Sequence, residues 1–150
     1  QTRGTGVMNR TFHSYGPFKP GITGRVNGTL ISMETGSAVA FAIFNLQDRG
    51  EMFIGHNTEV YQGMICGEHT RENDLEVNFL KGKKLTNMRA SGSDENVVLT
   101  PPRKMSLEEK MAYINDDEVL EVTPKNLRLR KKYLDHHERK RMSKSNSQNV

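Results

Sequence analysis

Polar and apolar positions along this chain alternate in short blocks, and most blocks have the length and period of β-strands. Thr29-Leu-Ile-Ser32 ends at a Glu34-Thr-Gly36 turn, and the apolar run Ala38–Phe44 is the size of a strand buried on both faces. Asp48-Arg-Gly50 predicts another turn before Glu51–Ile54. The pattern resumes over Glu59–Gly67, with Gly63 and Gly67 expected at bulges or close approaches. Thr70–Asp74 turns the chain, and Leu75-Glu-Val-Asn-Phe79 alternates cleanly, which puts Leu75, Val77 and Phe79 on one face. Val97–Leu99 reads as a further strand, ended by Pro101 and Pro102.

Helical signals are fewer. Ser106-Leu-Glu-Glu109 is a capping-box pattern, and Leu107, Met111 and Ile114 form the stripe by which a short helix is expected to pack. Val119–Val122 and Leu127–Arg130, joined through Thr123-Pro-Lys-Asn126, predict a hairpin with Leu127 and Leu129 inward and Arg128 and Arg130 outward. Asp135–Glu138 is a second capping pattern that opens a short basic helix. Ser143–Val150 has the composition of a disordered tail. Upstream, Arg3–Tyr15 holds a single strand-like stretch, and Gly16-Pro-Phe-Lys-Pro-Gly21 breaks the pattern as a domain boundary does.

One segment fits neither period. Lys81–Ser93 holds four cations (Lys81, Lys83, Lys84 and Arg89), the hydrogen-bonding residues Thr86, Asn87, Ser91 and Ser93, and glycines at 82 and 92. A loop of this length inside a compact domain is uncommon unless functional or disordered. Cations neutralise phosphates, small polar side chains direct hydrogen bonds, and glycine lets backbone N–H groups come close. The segment therefore reads as a loop that reaches into RNA, against the plainer alternative of a solvated loop. No aromatic residue lies inside it, so contacts through backbone and shape, with strong salt dependence, are expected.

Composition sharpens this. The 150 residues are 34% hydrophobic and carry a formal charge of +4, with a pI near 9.3 and a mean hydropathy of −0.71. Arg128, Arg130, Lys131, Lys132, Arg139, Lys140 and Arg141 crowd the C-terminal part, a bias that favours a polyanion. Alternating Leu and Arg is also what any half-exposed strand shows, so the hairpin's part in RNA contact stays open on pattern alone. The single cysteine, Cys66, allows no intrachain disulfide and points to a reducing compartment; a cytoplasmic setting is expected. No apolar run has the length of a membrane-spanning helix. A chain that opens at Gln1, already inside a Gly-Thr-Gly pattern, reads as a piece of something longer.

No converging nucleophile, base and stabiliser emerges, and no catalytic residue is assigned. Cys66 and His69 form one pair at metal-compatible spacing without a second, so no metal site is assigned. A small metal-dependent hydrolase built on Cys66, His69 and His56 is the weakest alternative. A β-rich protein-interaction module without direct RNA contact is the stronger one.

Lys83-Lys-Leu-Thr-Asn-Met-Arg-Ala-Ser-Gly92, Asp94-Glu95 and Val98-Leu-Thr-Pro-Pro102 resemble the C-terminal region of the BipA/TypA translational GTPases. Leu46–Gly50, Glu59-Val-Tyr61, Asn73-Asp-Leu75 and Asp116–Pro124 match the same family in the same order, over all but the tail after Met142. The resemblance implies an α+β, mainly β fold: a compact antiparallel barrel-like domain with one or two short helices and a long basic loop. It implies that residues 1–19 end a ferredoxin-like domain resembling domain V of elongation factor G, that 20–142 form the family's own C-terminal domain, and that 143–150 are tail. GTP and Mg would belong to an N-terminal domain of the parent, and this chain would be non-catalytic and monomeric. The expected partners are large-subunit rRNA and the end of an A-site tRNA, near the peptidyl-transferase centre. Lys81, Lys83, Lys84 and Arg89 would then meet phosphates, Thr86, Asn87 and Ser91 sugars or base edges, and Met88 would wedge against a base or pack the loop's foot. Arg128, Arg130, Lys131 and Lys132 are the hairpin's candidate RNA contacts.

Overall fold

A computed structural model describes Val7, Asn9 and residues 11–16, 25–82 and 98–147, with 146 and 147 as backbone only. The strands are β1 (Thr29–Ser32), β2 (Gly36–Ser37), β3 (Gly50–Met52), β4 (Glu59–Val60), β5 (Met64–His69), β6 (Leu75–Val77), β7 (Glu118–Val122) and β8 (Leu127–Lys131). The helices are α1 (Ala40–Leu46), α2 (Leu107–Tyr113) and α3 (His136–Ser147), and one 3₁₀ turn (Gln47–Arg49) follows α1. The main sheet runs β6-β1-β5-β8-β7 with β3 as a side branch on β5, and β2 pairs with β4 separately.

β5 organises the sheet. One of its edges takes β1, through Thr29↔Glu68, Leu30↔Gly67 and Ile31↔Ile65. The other edge is divided, with β3 on Gly67–His69 and β8 on Met64 and Ile65. The register skips Cys66, a bulge at the position where Gly67 lets β3 come close: a Cβ there would stand 2.7 Å from the Glu51 carbonyl oxygen. Gly63 has φ +84°, and a Cβ would meet the Leu134 backbone at 2.8 Å. Both glycines thus do what the pattern predicts.

Successive β5 side chains point to opposite faces. Met64 and Cys66 join Leu30, Val77, Phe79 and the α1 residue Ile43 on the first face. Ile65 joins Leu129, Met105 and Tyr113 of α2 on the second. Core therefore lies on both sides of β5, as its continuous burial reflects.

Several expectations need correction. The sheet does not close into a barrel: β6 and β7 end the strand order, and helices cover its faces instead. It is not wholly antiparallel, because β1 and β6 run parallel. Ala38–Phe44 is not a strand. Alanine at 38, 40 and 42 favours helix, and a short apolar run carries no period that separates the two, so the chain forms α1 and buries Ala42 and Ile43. Among the described residues three helices stand where one or two were expected. Val98 and Leu99 are not in a strand, and the described residues of 7–16 form none either. The capping box on α2 is complete, but Leu107 and Met111 are exposed (38% and 62%) while Tyr113 is buried. Residues 143–147 continue α3, five positions into the stretch read as tail.

Candidate nucleic-acid interface

The β7–β8 hairpin is closed by a tight turn in which the Asn126 N–H donates to Thr123 Oγ1 (2.9 Å) and the Thr123 N–H to the Asn126 carbonyl (2.9 Å). Full register follows, with Glu121 opposite Arg128 and Val119 opposite Arg130. Because Arg130 pairs with Met64 and Leu129 with Ile65, the arginines share the first face and Leu129 the second. Arg128 donates to Glu121 (3.3 Å), which also accepts from Tyr61 Oη (2.6 Å).

The segment 83–97, which carries most of the predicted loop, lies outside the described residues, but both its feet are placed. Phe79 is fully buried in the first-face core, Leu80 packs against it, and Lys81 beyond is exposed. The Phe79 carbonyl accepts from the Val39 N–H (3.0 Å) at the start of α1. On the return, Leu99 packs on the same core, and Gln47, just past α1, bonds the Val98 carbonyl (3.4 Å) and the Thr100 N–H (3.2 Å). The two feet therefore bracket α1, whose seven residues span about 10 Å. They stand on the face that bears Arg128 and Arg130.

Lys131 has a different environment. Only 2% exposed, its ammonium donates to Asp74 (2.6 Å), Asp117 (2.8 Å) and Glu118 (2.9 Å). Burial opposes its charge, but the hydrogen bonds to Asp117 and Asp74 and the charge of Glu118 outweigh this and raise its pKa. Burial likewise opposes the Asp74 carboxylate, and Lys131, with the Thr29 N–H and Oγ1, outweighs it and lowers that pKa. Glu118 also takes a bidentate pair from Arg25 (2.6 and 3.0 Å), whose guanidinium stacks over Tyr113 at 4.4 Å.

α3 opens at Asp135, which accepts from the N–H groups of His137 (2.8 Å) and Glu138 (3.1 Å). Arg139 and His136 both meet Glu76 of β6 and fasten the helix to the sheet. Lys140, Arg141 and Lys144 remain exposed, as does Lys132 at the exit of β8.

With this geometry placed, comparison with known proteins decides the family. The family model of the TypA/BipA C-terminal domain matches residues 27–136. The chain belongs to that family. It is 56% identical over 144 residues to the large ribosomal subunit assembly factor BipA of Salmonella typhimurium, covering 95% of this chain and 24% of that protein. It is 55% identical over 145 residues to the factor of the same name from Escherichia coli, covering 96% and 24%. The Buchnera aphidicola factor is 56% identical over 144 residues, covering 95% and 24%. The chain thus spans about a quarter of the length of these relatives.

In this TypA/BipA C-terminal domain, the structure gathers Arg128, Arg130 and the loop's feet on one face, and leaves Lys81 and Lys132 open to solvent. Lys83, Lys84, Thr86, Asn87, Met88, Arg89 and Ser91 lie outside the described residues. Lys131, read as an RNA contact, is enclosed by carboxylates and unavailable to phosphate. Sequence reasoning missed Arg25, Asp74 and Glu76, whose partners lie far along the chain and leave no local pattern. Cys66 and His69 do not act together: the Cys66 side chain sits in the first-face core, and His69 Nδ1 lies 2.6 Å from the Asn73 carbonyl.

Proposed function

We propose that this domain docks on the large ribosomal subunit by binding RNA with the face that carries Arg128, Arg130 and the feet of segment 83–97. The observation that carries the reading is that shared face: register puts both arginines on the side where the predicted basic loop leaves and re-enters the domain. The names of the curated relatives, large ribosomal subunit assembly factors, support the partner. In this reading Lys81, Lys83, Lys84 and Arg89 neutralise rRNA or A-site tRNA phosphates. Thr86, Asn87 and Ser91 bond sugars or base edges, Met88 wedges against a base, and Lys132 extends the cationic surface. The domain is monomeric and does no chemistry itself. GTP hydrolysis belongs to another part of a translational GTPase, and this domain supplies its ribosomal position in the cytoplasm.

Co-sedimentation with large ribosomal subunits across a salt series tests this. Binding is expected to weaken steeply with salt, and Arg128→Ala with Arg130→Ala to flatten the log–log slope by about 2, one per phosphate contact. The triple change Lys83→Ala, Lys84→Ala, Arg89→Ala is expected to weaken it further. Binding that ignores both salt and these changes would favour a protein-interaction module, a reading that the exposed Leu107 and Met111 on α2 support.

A further inference from the structure

β3 and β8 share one edge of β5 without pairing to each other, so the sheet forks. The Phe53 N–H still donates to the Cys66 carbonyl (2.8 Å), whereas Leu129 pairs with Ile65, which sets the fork between neighbouring residues of β5. Beyond it, Phe53–Gly55 and the start of β8 diverge around a groove of about 530 Å³. That volume suits a small ligand.

The groove's lining has two parts. Its floor is apolar, formed by Phe53, Ile54, Ile65 and Leu129. Its rim holds Lys104, Lys110 and Arg128 against a single lining carboxylate, Glu59. The Arg103 N–H donates to the Met52 carbonyl (2.8 Å), and its side chain turns to Glu51 and Glu68. Met105 is buried, and the intervening Lys104 therefore faces the groove. Lys110 reaches in from α2, donates to the Leu127 carbonyl (3.0 Å) and pairs with no carboxylate among the described residues. Burial lowers its pKa, a cost that an anion beside it would relieve.

We propose that this groove receives one unpaired RNA nucleotide, its base against Phe53 on the apolar floor and its phosphate among Lys104, Lys110 and Arg128. An aromatic ring beside converging cations is how proteins hold splayed-out bases, and a slot of this size admits one base and no duplex. Thr58 and Asn126 supply polar groups on the lining for a base edge. The inference rests on the RNA-binding reading above, shares Arg128 with it, and adds Phe53, Lys104 and Lys110, which that reading does not use.

The test is amide NMR of the chain titrated with adenosine monophosphate, inorganic phosphate, and one short RNA as single strand and as duplex. The nucleotide and the single strand are expected to shift the amides of Phe53, Gly55, Lys104 and Leu127 saturably, and the duplex to leave them in place. Lys104→Glu is expected to weaken the nucleotide about tenfold, and Phe53→Leu several-fold. Lys104 is exposed, so its variant keeps the test valid if Phe53→Leu fails to fold. Silent groove amides, equal shifts from duplex and single strand, phosphate binding as tightly as the nucleotide, or an unaffected Lys104→Glu would each overturn the proposal. Ribosome binding with a silent groove removes this site and keeps the proposed function. A nucleotide in the groove without ribosome binding does the reverse.

Discussion

Lys131 and Lys132 stand next to each other at the end of β8 and do opposite things for the protein. Lys131 is buried among Asp74, Asp117 and Glu118, so Lys131→Met leaves three carboxylates facing one another with, among the described residues, only Arg25 paired to one of them. The expected loss is about 3–5 kcal/mol of unfolding free energy, read from urea melts. Lys132 is exposed, and Lys132→Ala is expected to stay within about 0.5 kcal/mol of the parent while flattening the salt dependence of the proposed ribosome binding by about one phosphate contact. A destabilised Lys132 variant, or a Lys131→Met variant that melts normally, would contradict this assignment. The strand period that sends Leu127 and Leu129 inward sends position 131 inward too. A basic residue there signals a buried ion cluster, but the period cannot name Asp74 as partner, because that contact exists only once β1, β5 and β8 have assembled.

At the level of elements, local chemistry was legible and tertiary choice was not. In α2, Ser106 Oγ accepts from the Glu109 N–H (3.2 Å) and Glu109 accepts from the Ser106 N–H (2.7 Å). Ser106→Ala is expected to cost about 1 kcal/mol in chemical denaturation, since one N–H at the helix start loses its acceptor. An unchanged midpoint would show that the cap contributes nothing. That cap was readable because four consecutive residues carry it. The packed face was not: Leu107 and Met111 look like a core stripe, yet this seven-residue helix turns Tyr113 to Phe53 and the sheet, and Lys110 to the fork. α1 was misread for a related reason, since alternating Ala and larger apolar residues fit strand and helix alike over so short a run. The β7–β8 hairpin was legible throughout, because its turn and alternation are both local. For the candidate site, charge and spacing singled out the arginines, whose shared face the register places, while the predicted basic loop lies outside the described residues; the groove at the fork depends on two strands sharing one edge of β5.

For the whole molecule, the ion pairs couple assembly to pH. Asp74 joins β1 to β8 through Thr29 and Lys131, and Glu76 joins β6 to α3 through Arg139 and His136. Burial opposes both carboxylates, but their cationic partners outweigh it and hold both pKa values below the ordinary range. A carboxyl depressed on folding adds stability above its unfolded value of about 4, and that stability disappears as pH falls through the native value. The opposite limb comes from Lys131 and from Tyr61, Tyr113 and Cys66, all raised: for the tyrosines and the cysteine burial is the first cause, and for Lys131 its carboxylate partners outweigh burial. Each keeps its proton longer in the folded chain, so its contribution is present below the unfolded value and lost as pH rises past it, from about 8.5 for cysteine and about 10 for tyrosine and lysine. Thermal unfolding is therefore expected to show a plateau in Tm from about pH 5 to about pH 8, with a decline on either side. Glu76→Gln is expected to lower the plateau and to make the acid decline shallower, because the carboxyl that fastens α3 no longer titrates. A Tm that climbs as pH drops below about 4 would mean that these carboxylates gain nothing from folding. An acid limb unchanged in Glu76→Gln would mean that α3 is held to the sheet by contacts other than the Glu76 carboxylate.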